Sequence, residues 1–458
     1  MKYRLSNIIL RKEYFGGILF DSDGMFFELN KSGFNTLKSF AVNDGVTIDD
    51  DKLSDEFISS CIRKNILTPV DLNTDCCARI IEHLPIMGNY LSFPTDVDIN
   101  ITNRCNQKCI FCYNGRYRDL QREIKDLCTN DTLKIIDECI NDGALRLVLL
   151  GGEPLAARSS ISKIVDHMVN THLNSMVYLL MTTNGSYGGG IDKSYAEYLS
   201  SYPKVNIDIS IEGKNQEHHD KIVQLPGAYK KAMMTAENVI NAKIPLSVNT
   251  VALNELKDDI VDIAKKAKKM GATGYRLQYP MPFYGQNLND YRNMLIPNVD
   301  YYNICNELKS LKDDNFFVLV NTNYLFLLDD EYALPKEKTL LYNAQKCCAG
   351  NISVEIMPNG DVYSCPITIE NEVYRLGNIF ENKLATIWQS EKLQPFRNRD
   401  KLELKNNVCK NCDNADVCAG GCRVTASIFN NSVFGGDPRC PKIYAAALTQ
   451  GGKEAEIV

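Results

Sequence analysis

Three closely spaced cysteines, Cys105, Cys109 and Cys112, carry the most specific chemical signal in this chain of 458 residues. Their spacing is C-x3-C-x2-C, directly after an apolar stretch (96–102) that predicts a β-strand. A [4Fe–4S] cluster has four irons, and protein clusters normally bind all four through thiolates. Three thiols alone would leave one iron open to an outside molecule, as in catalytic metal centres. The alternatives are a zinc knuckle, which needs a fourth nearby ligand, and three unconnected core cysteines.

A second motif, Gly151-Gly152-Glu153-Pro154, ends the apolar run 145–150. An uninterrupted apolar run predicts a strand that is buried on both faces, as in a parallel sheet. We expect the two glycines to let the backbone approach a ligand closely, and the proline to rigidify the exit from the strand. The motif alone is a common turn, but here it lies one β-α-β unit after the cysteines.

Together the two motifs resemble the radical S-adenosylmethionine (SAM) superfamily, over residues 94–287. The resemblance implies that a cluster on the three cysteines chelates the amine and carboxylate of SAM and cleaves it to methionine and a 5′-deoxyadenosyl radical. It also implies SAM contacts from the residue after the last cysteine, from the glycine motif and from three strand ends: Tyr113, Gly151, Gly152, Glu153, Pro154, Asn184, Ser210 and Asn249. For each strand-end residue, ordinary capping is the alternative. Many relatives have an arginine where this chain has Val223, so we assign residues 219–223 no role.

The C-terminal third carries a second group of cysteines. The first pattern is C-x2-C-x5-C-x3-C over 409–422, and a further cysteine stands at 440. Upstream, a Cys-Cys-Ala-Gly sequence begins at 347, and another cysteine follows Gly360 in a G-x4-C spacing. We find no secretory signal in the sequence, so clustered thiols indicate metal rather than disulfides.

These cysteines resemble the SPASM extension of radical SAM enzymes, which holds two further [4Fe–4S] clusters. The resemblance covers residues 347–440 and implies an outer cluster on Cys409, Cys412, Cys418 and Cys440, and an inner cluster on Cys347, Cys365 and Cys422. Cys348 also fits the permitted spacing, so it is open whether it is the true ligand, a fourth ligand or a bystander. The alternative is zinc bound by cysteines alone, since no histidine lies beyond His219.

The elements that must position these residues alternate regularly along the chain. After the runs at 96–102 and 145–150 come apolar runs at 177–185, 205–210, 246–251 and 274–279, with helical stretches between them. Six strands alternating with helices predict an α/β fold with a parallel sheet, and the resemblance implies a partial (β/α)6 TIM-like barrel. Ligands of such sheets bind at the carboxyl ends of the strands, where the predicted SAM contacts lie.

Residues 1–75 predict a separate module without a cluster motif. Residues 14–29 predict a β-hairpin with an Asp-Ser-Asp-Gly turn, Asn30 is the expected N-cap of a helix at 31–41, and a second helix is expected at 52–64 after an acidic turn at 49–51. This pattern resembles the winged-helix-like recognition element of enzymes that modify ribosomally made peptides. The resemblance implies that a leader peptide adds to an edge strand. The alternative is a capping subdomain without a ligand.

Composition and charge limit the remaining possibilities. A net charge of −6, a pI of about 5.6 and the lack of a basic stripe argue against a nucleic-acid partner. No apolar stretch reaches transmembrane length, so we expect no membrane partner and a reducing cytoplasm as the location. We expect a linker at 76–93, the radical SAM domain at 94–300, a helical bridge at 301–346 and the SPASM domain at 347–445.

The combined resemblance implies a radical SAM oxidoreductase that takes a hydrogen atom from a precursor peptide and installs a cross-link, with flavodoxin or ferredoxin as the reductant. A Cys-to-carbon thioether is the favoured bond, and carbon–carbon cross-linking or another radical peptide modification is the next alternative. A formylglycine-type sulfatase maturase is less favoured because Pro366 stands where an acidic base would follow the second SPASM cysteine. A non-catalytic iron–sulfur scaffold comes last. The sequence does not identify the precursor peptide, the residue attacked, the catalytic base or the oligomeric state.

Overall fold

The computed structural model describes residues 1–21, 24–42, 44–49, 55–70, 78–86, 88–115, 125–321, 324–329, 347–369, 371–399 and 404–449. Several expectations fall partly outside these ranges. They concern the hairpin turn at 22–23, the acidic turn at 50–51, the start of the second helix at 52–54, the linker at 76–77 and the bridge at 330–346.

In the residues that the structure describes, the N-terminal module contains two small sheets and two helices. Its elements are β1 (Lys2–Leu5), β2 (Ile9–Glu13), β3 (Gly16–Phe20), β4 (Phe26–Asn30), α1 (Lys31–Ser39), β5 (Val46–Thr47), α2 (Glu56–Arg63), β6 (Leu67–Pro69) and β7 (Arg79–Ile81). The strand orders are β5-β1-β6 and β4-β3-β2-β7. The Asn30 side chain accepts a hydrogen bond from the Gly33 backbone N–H at 2.8 Å, as an N-cap does. Strand β7 pairs in parallel with β2, so the module's sheet extends past residue 75 into the expected linker.

A buried arginine fastens this module to the rest of the chain. Arg11 on β2 is fully buried, and its guanidinium donates to the carbonyl oxygens of Phe93 at 2.8 Å and Gly143 at 2.6 Å. It also pairs with Glu13 at 2.7 Å, and that carboxylate accepts the Ser92 backbone N–H at 2.8 Å. Because these buried charges and carbonyl groups satisfy one another, separating the module would leave them unpaired.

The central sheet is built from six parallel strands with helices between them, as the sequence predicts. The elements are β8 (Asp96–Thr102), α3 (Thr129–Asn141), β9 (Arg146–Gly151), α4 (Arg158–Thr171), β10 (Tyr178–Thr183), α5 (Lys193–Leu199), β11 (Val205–Ser210), α6 (Gln216–Val223), α7 (Ala228–Asn241), β12 (Leu246–Val251), α8 (Ile260–Met270) and β13 (Gly274–Gln278). Neighbours in sequence are also neighbours in the sheet. This is the arrangement of a partial TIM-like barrel.

The sheet continues beyond both ends of the six-strand unit. After α9 (Leu288–Met294) and α10 (Asn298–Lys309), strand β14 (Phe317–Val320) adds to β13 in parallel, so the expected helical bridge contains a strand. On the other side, β15 (Ser353–Ile356) pairs in parallel with β8 and is followed by antiparallel β16 (Asp361–Tyr363) and β17 (Arg375–Asn378). The C-terminal region therefore shares one ten-stranded sheet with the barrel.

The two faces of this sheet differ in polarity because side chains alternate along each strand. On β8, for example, Val97, Ile99 and Ile101 are buried in the main apolar core. The intervening residues are polar, and Asn100 bonds to Glu355 of the neighbouring strand β15. On β8, therefore, one side of the sheet is polar and the other packs in the apolar core.

Short helices and loops complete the C-terminal region. They are α11 (Leu384–Ile387), α12 (Gln394–Arg397), α13 (Asn407–Lys410), α14 (Ala415–Cys418), α15 (Arg423–Asn430) and α16 (Pro441–Thr449). Arg423 is buried and donates to the carbonyl oxygens of Val433 at 2.7 Å and Gly435 at 2.9 Å, which fixes a loop with little regular structure. Within the described ranges, no helix is long and apolar enough to cross a membrane.

Candidate active site and iron–sulfur centres

The loop that carries Cys105, Cys109 and Cys112 leaves the carboxyl end of β8 and rests on the end of α6. The backbone N–H groups of Lys108 and Ile110 donate to the carbonyl oxygens of Val223 and Ile222, both at 3.1 Å. The segment 219–223, to which we assigned no role, therefore supports the cysteine loop. Val223 contributes here through its backbone, which any side chain at that position would permit.

The three thiols are partly exposed, and the Gln107 backbone and side chain link the first two. Cys105 Sγ accepts from the Gln107 backbone N–H at 3.4 Å and from Asn184 Nδ2 at 3.7 Å, while the Cys109 thiol donates to Gln107 Oε1 at 3.4 Å. Tetrahedral zinc with Zn–S bonds of about 2.3 Å would hold its sulfurs about 3.8 Å apart. In the part of the chain that the structure describes, no three cysteine sulfurs lie within 4.8 Å of one another. The spacing therefore disfavours a single zinc ion and leaves room for a multi-iron cluster.

The glycines of the 151–154 motif make room for the cysteine loop. A Cβ on Gly151 would lie 2.2 Å from the carbonyl oxygen of Thr102, and one on Gly152 would lie 2.5 Å from that of Arg104. The Gly152 and Glu153 backbone N–H groups donate to these same oxygens, both at 2.8 Å. The atoms that approach the two glycines in this structure are those of the loop that carries the cysteines, and the approach of a ligand stays a prediction.

Glu153 ties this motif to the end of the next strand. Its carboxylate is 1% exposed and accepts three hydrogen bonds, from Thr183 Oγ1 at 2.5 Å, the Asn184 backbone N–H at 2.7 Å and the Leu155 backbone N–H at 3.0 Å. Burial raises its pKa to about 7, although these hydrogen bonds act in the opposite direction. Pro154 follows at the first position of a short 3-10 turn, where a proline is well tolerated.

Of the three strand-end residues, Asn184 belongs to a network around the cysteine loop. Its side chain donates to Asn106 Oδ1 at 3.0 Å and accepts from the Ser186 backbone N–H at 2.8 Å, and Asn106 in turn donates to Ser186 Oγ at 3.0 Å. The sequence analysis missed Asn106 and Ser186, although both stand beside motif residues.

Ser210 ends strand β11, and Asn249, two residues before the end of β12, pairs with it in register. Asn249 is 7% exposed, and its Oδ1 has no hydrogen-bond partner among the described residues. An unpaired buried oxygen at the carboxyl edge of the sheet suits a ligand that donates hydrogen bonds, such as the ribose hydroxyls or ammonium of SAM.

A buried acidic residue that the sequence analysis missed faces the barrel interior. Glu355 on β15 is 2% exposed; its Oε1 accepts from Asn100 Nδ2 at 2.7 Å, and its Oε2 has no partner within the described ranges. Burial raises the pKa of Glu355 to about 7, and that of its register neighbour Asp98 rises well above its usual value for the same reason. We looked for an acid directly after Cys365, whereas this one stands ten residues earlier in the sequence.

Tyr113 lies between the first cysteine loop and the C-terminal region. Burial raises its pKa well above the ordinary value, and the charges of Glu355, Cys112, Asp98 and Cys365 act in the same direction. The phenol is therefore near the predicted ligands of two different clusters. The structure thus brings the first and the inner predicted sites to one side of the barrel.

The four cysteines expected at the outer cluster line one pocket: Cys409, Cys412, Cys418 and Cys440. Burial raises the pKa of Cys409 to about 11, and the nearby thiols of Cys418 and Cys440 add to the rise. The Lys442 ammonium donates to Cys412 Sγ at 3.6 Å. Clustered thiols with raised pKa values stay protonated unless a metal centre stabilises their thiolates.

The cysteines expected at the inner cluster also face one another. Burial raises the pKa of Cys365 well above its usual value, and the thiols of Cys422 and Cys347 act on it in the same direction. The charged groups around Cys348 differ from those around Cys365. The residue is exposed, and the neighbouring charges that raise its pKa are those of Cys347 first and then of Asp96 and Asp98 of β8. The adjacent cysteines thus point to different surroundings, and Cys347 is the one near Cys365 and Cys422.

Comparisons with known proteins agree with this arrangement. The family described as the Radical SAM superfamily matches residues 99–267, and the SPASM family, an iron-sulfur cluster-binding domain, matches residues 347–413. The PqqA peptide cyclase of Granulibacter bethesdensis is 24% identical over 351 residues, which cover 76% of this chain and 87% of that protein. The AdoMet-dependent heme synthase of Methanosarcina barkeri is 26% identical over 355 residues, with coverages of 74% and 94%.

A solved structure is similar over almost the whole length. The crystal structure of Streptococcus suis SuiB bound to the precursor peptide SuiA superposes with a TM-score of 0.69 at 19% identity, and covers 95% of this chain and 98% of that one. The remaining 5% of 458 residues is about 23 residues, fewer than the 75 expected in the N-terminal module. The likeness in fold therefore extends into that module.

Proposed function

We infer that this chain, a radical SAM enzyme with a SPASM iron–sulfur domain, binds a ribosomally made precursor peptide and cross-links two of its residues. The N-terminal module is the observation that carries this proposal. Similarity in sequence alone does not select a peptide substrate, because a heme synthase is about as similar to the chain as a peptide cyclase. The module and its likeness in fold to a peptide-bound enzyme favour a peptide.

The edge strand β4 is the proposed binding place for the leader segment of that peptide. It is the outer strand of the order β4-β3-β2-β7, and Met25 just before it is 56% exposed. Helix α2 lies close by, since a Cβ on Gly33 of α1 would meet the Phe57 ring at 3.3 Å. An extended peptide can add to such an edge through backbone hydrogen bonds, with side-chain contacts giving selectivity.

The thiols described above are the proposed ligands of the iron–sulfur clusters. Cys105, Cys109 and Cys112 would hold the first cluster, and the four cysteines that line one pocket would hold the outer one. When bound, the first cluster together with SAM supplies a 5′-deoxyadenosyl radical. The proposed electron donor to this cluster is flavodoxin or ferredoxin in a reducing cytoplasm. Glu153, Asn184 and the two glycines fix the cysteine loop, while Asn249 offers a free acceptor to SAM.

The balance of the reaction defines a task for Glu355. Joining two groups X–H and Y–H as X–Y removes two hydrogens: one leaves as a hydrogen atom to the radical, the other as a proton plus an electron. A bound auxiliary cluster is the proposed electron acceptor, and the proton needs a base inside the barrel. Glu355 is the proposed base, because its Oε2 is buried and its pKa of about 7 suits proton transfer near neutral pH.

A Cys-to-carbon thioether remains the proposed bond. If Cys348 is not a ligand, the inner cluster would have three thiolates, from Cys347, Cys365 and Cys422, and one iron open to a substrate thiolate. A carbon–carbon cross-link obeys the same balance and is the alternative. Formylglycine formation lacks its expected acid at position 366.

The test uses the anaerobically reconstituted full chain with the small peptides encoded beside its gene. We expect one peptide to lose two hydrogens per equivalent of 5′-deoxyadenosine, measured by mass spectrometry, and its cysteine to resist alkylation if a thioether forms. The matched control replaces Cys105, Cys109 and Cys112 with Ala, which should abolish SAM cleavage but leave leader-dependent peptide binding intact. SAM cleavage without binding of any peptide would refute the proposal.

A further inference from the structure

A group of three side chains on the outer helical layer has the composition of a metal site. His167 Nε2 and His172 Nε2 approach the same atom, Asp137 Oδ1, at 2.7 Å and 2.6 Å. The two imidazole rings meet edge to face with centroids 5.2 Å apart. All three ligand atoms lie within 4.8 Å of one another, and this is the one such group of three or more in the described part of the chain.

The elements that carry these residues hold them in place. Asp137 lies in the middle of α3, His167 on α4, and His172 is the C-cap of α4. Each helix turns several apolar side chains into the main core, so the backbone positions are fixed by packing. The histidine side chains are only 19% and 12% exposed, whereas Asp137 is 41% exposed and gives access from solvent.

We propose that Asp137, His167 and His172 bind a divalent transition-metal ion, with zinc as the best match. Two imidazoles and one carboxylate are ligands that zinc accepts, and three protein ligands leave a fourth position for water. Zinc with bonds of 2.0 to 2.1 Å holds its ligands about 3.3 Å apart. His167 Nε2 and His172 Nε2 would each need to move away from Asp137 Oδ1 by about 0.6–0.7 Å around the ion, which rotation about the side-chain torsions can supply.

Such an ion would link α3 and α4 at the point where the N-terminal module docks. Arg79 on β7 donates to the carbonyl oxygen of Ile140 at 2.7 Å and to that of Ser175 at 3.1 Å. These acceptors stand three residues after Asp137 and three after His172. A metal ion here would stabilise helices α3 and α4, on which the N-terminal module docks, without contacting the barrel interior. The proposal is therefore independent of the proposed reaction.

The alternative is a metal-free hydrogen-bonded trio, in which both imidazoles donate to the carboxylate. Measuring zinc binding to the anaerobic holoenzyme distinguishes the zinc site from the metal-free trio. In the holoenzyme the cluster cysteines are occupied by reconstituted clusters. We expect calorimetry to show one zinc per chain, and zinc X-ray absorption to show nitrogen and oxygen at about 2.0 Å, with no sulfur at about 2.3 Å. Zinc should also raise the melting temperature of the holoenzyme.

His167→Gln, His172→Gln and Asp137→Asn should each weaken zinc binding at least about tenfold and remove the thermal shift. Asp137→Asn keeps the size of the side chain, so it remains informative if a histidine variant fails to fold. The matched control is His83→Gln, because His83 forms a single pair with Asp142 at 2.9 Å on the end of the same helix. Absence of zinc binding, a sulfur-only environment, or wild-type zinc affinity in all three site variants would overturn the proposal.

Discussion

The strongest test of the site geometry compares two buried glutamates that undergo the same substitution. The Glu153 carboxylate accepts three hydrogen bonds at the cysteine loop. Within the described residues, the Glu212 carboxylate accepts one, from the Val251 backbone N–H at 2.9 Å. Both are at most 2% exposed, and burial raises their pKa values to about 7 and about 8. Glutamine has nearly the same shape but replaces one accepting oxygen by an amide group that can only donate.

We expect Glu153→Gln to loosen the cysteine loop and Glu212→Gln to leave it unchanged. In the first variant the amide must face either the Asn184 N–H or the pair of donors from Thr183 and Leu155, so at least one buried donor loses its acceptor. Such a loss costs about 1–3 kcal/mol, which corresponds to a roughly 5- to 150-fold increase in local opening. In Glu212→Gln the remaining oxygen can still accept the Val251 N–H.

The assay is hydrogen–deuterium exchange of the cluster-free chain at pH 6. Because burial raises both pKa values above that of an exposed glutamate, ionising these groups costs stability progressively as the pH rises from about 4.5 to their folded values. At pH 6 both carboxyls are mostly protonated, and a protonated carboxyl still accepts at both oxygens, so the comparison isolates the hydrogen bonds. Faster exchange should be confined to peptides around 103–113 and 183–187. Equal exchange in the two variants would refute this account of Glu153.

Three further predictions concern the reaction and its centres. Glu355→Gln should keep SAM cleavage near normal but lower the yield of cross-linked peptide per 5′-deoxyadenosine about 100-fold, as measured by mass spectrometry; an unchanged ratio would exclude it as the base. Gly152→Ala places a Cβ 2.5 Å from the Arg104 carbonyl oxygen, so iron content and SAM cleavage should both fall, and wild-type values would contradict the close fit. Cys347→Ser should lose iron from the inner centre while Cys348→Ser retains it, by chemical iron analysis; the reverse result would exchange their roles.

Most of the fold, and the grouping of most predicted cofactor ligands, could be predicted from local sequence patterns. The six parallel strands follow from apolar runs and helical stretches that are each readable within a short window, and their sheet order follows the chain. The outer cysteines were predictable for the same reason, because four of them come from a span of little more than thirty residues and line one pocket.

Long-range pairings were not predictable from such patterns. Strand β15 pairs with β8 across more than 250 residues, and this pairing is what brings Glu355 beside Asn100 and Asp98. In the sequence Glu355 is one acidic residue in a short apolar strand, with nothing nearby to mark it. The close fit of Gly151 and Gly152 to the cysteine loop was also not predictable, because the atoms that they accommodate come from a loop some fifty residues earlier.

The shared sheet has a consequence for any attempt to dissect this protein. A fragment that stops before residue 347 would strip β8 of its neighbour β15 and expose a row of backbone donors and acceptors along a seven-residue strand. Bare edges of that kind template association between chains, so such fragments should aggregate instead of behaving as free-standing enzymes. The two cluster-bearing parts are therefore joined by covalent sequence and by a common β-ladder, and they should fold as one cooperative unit.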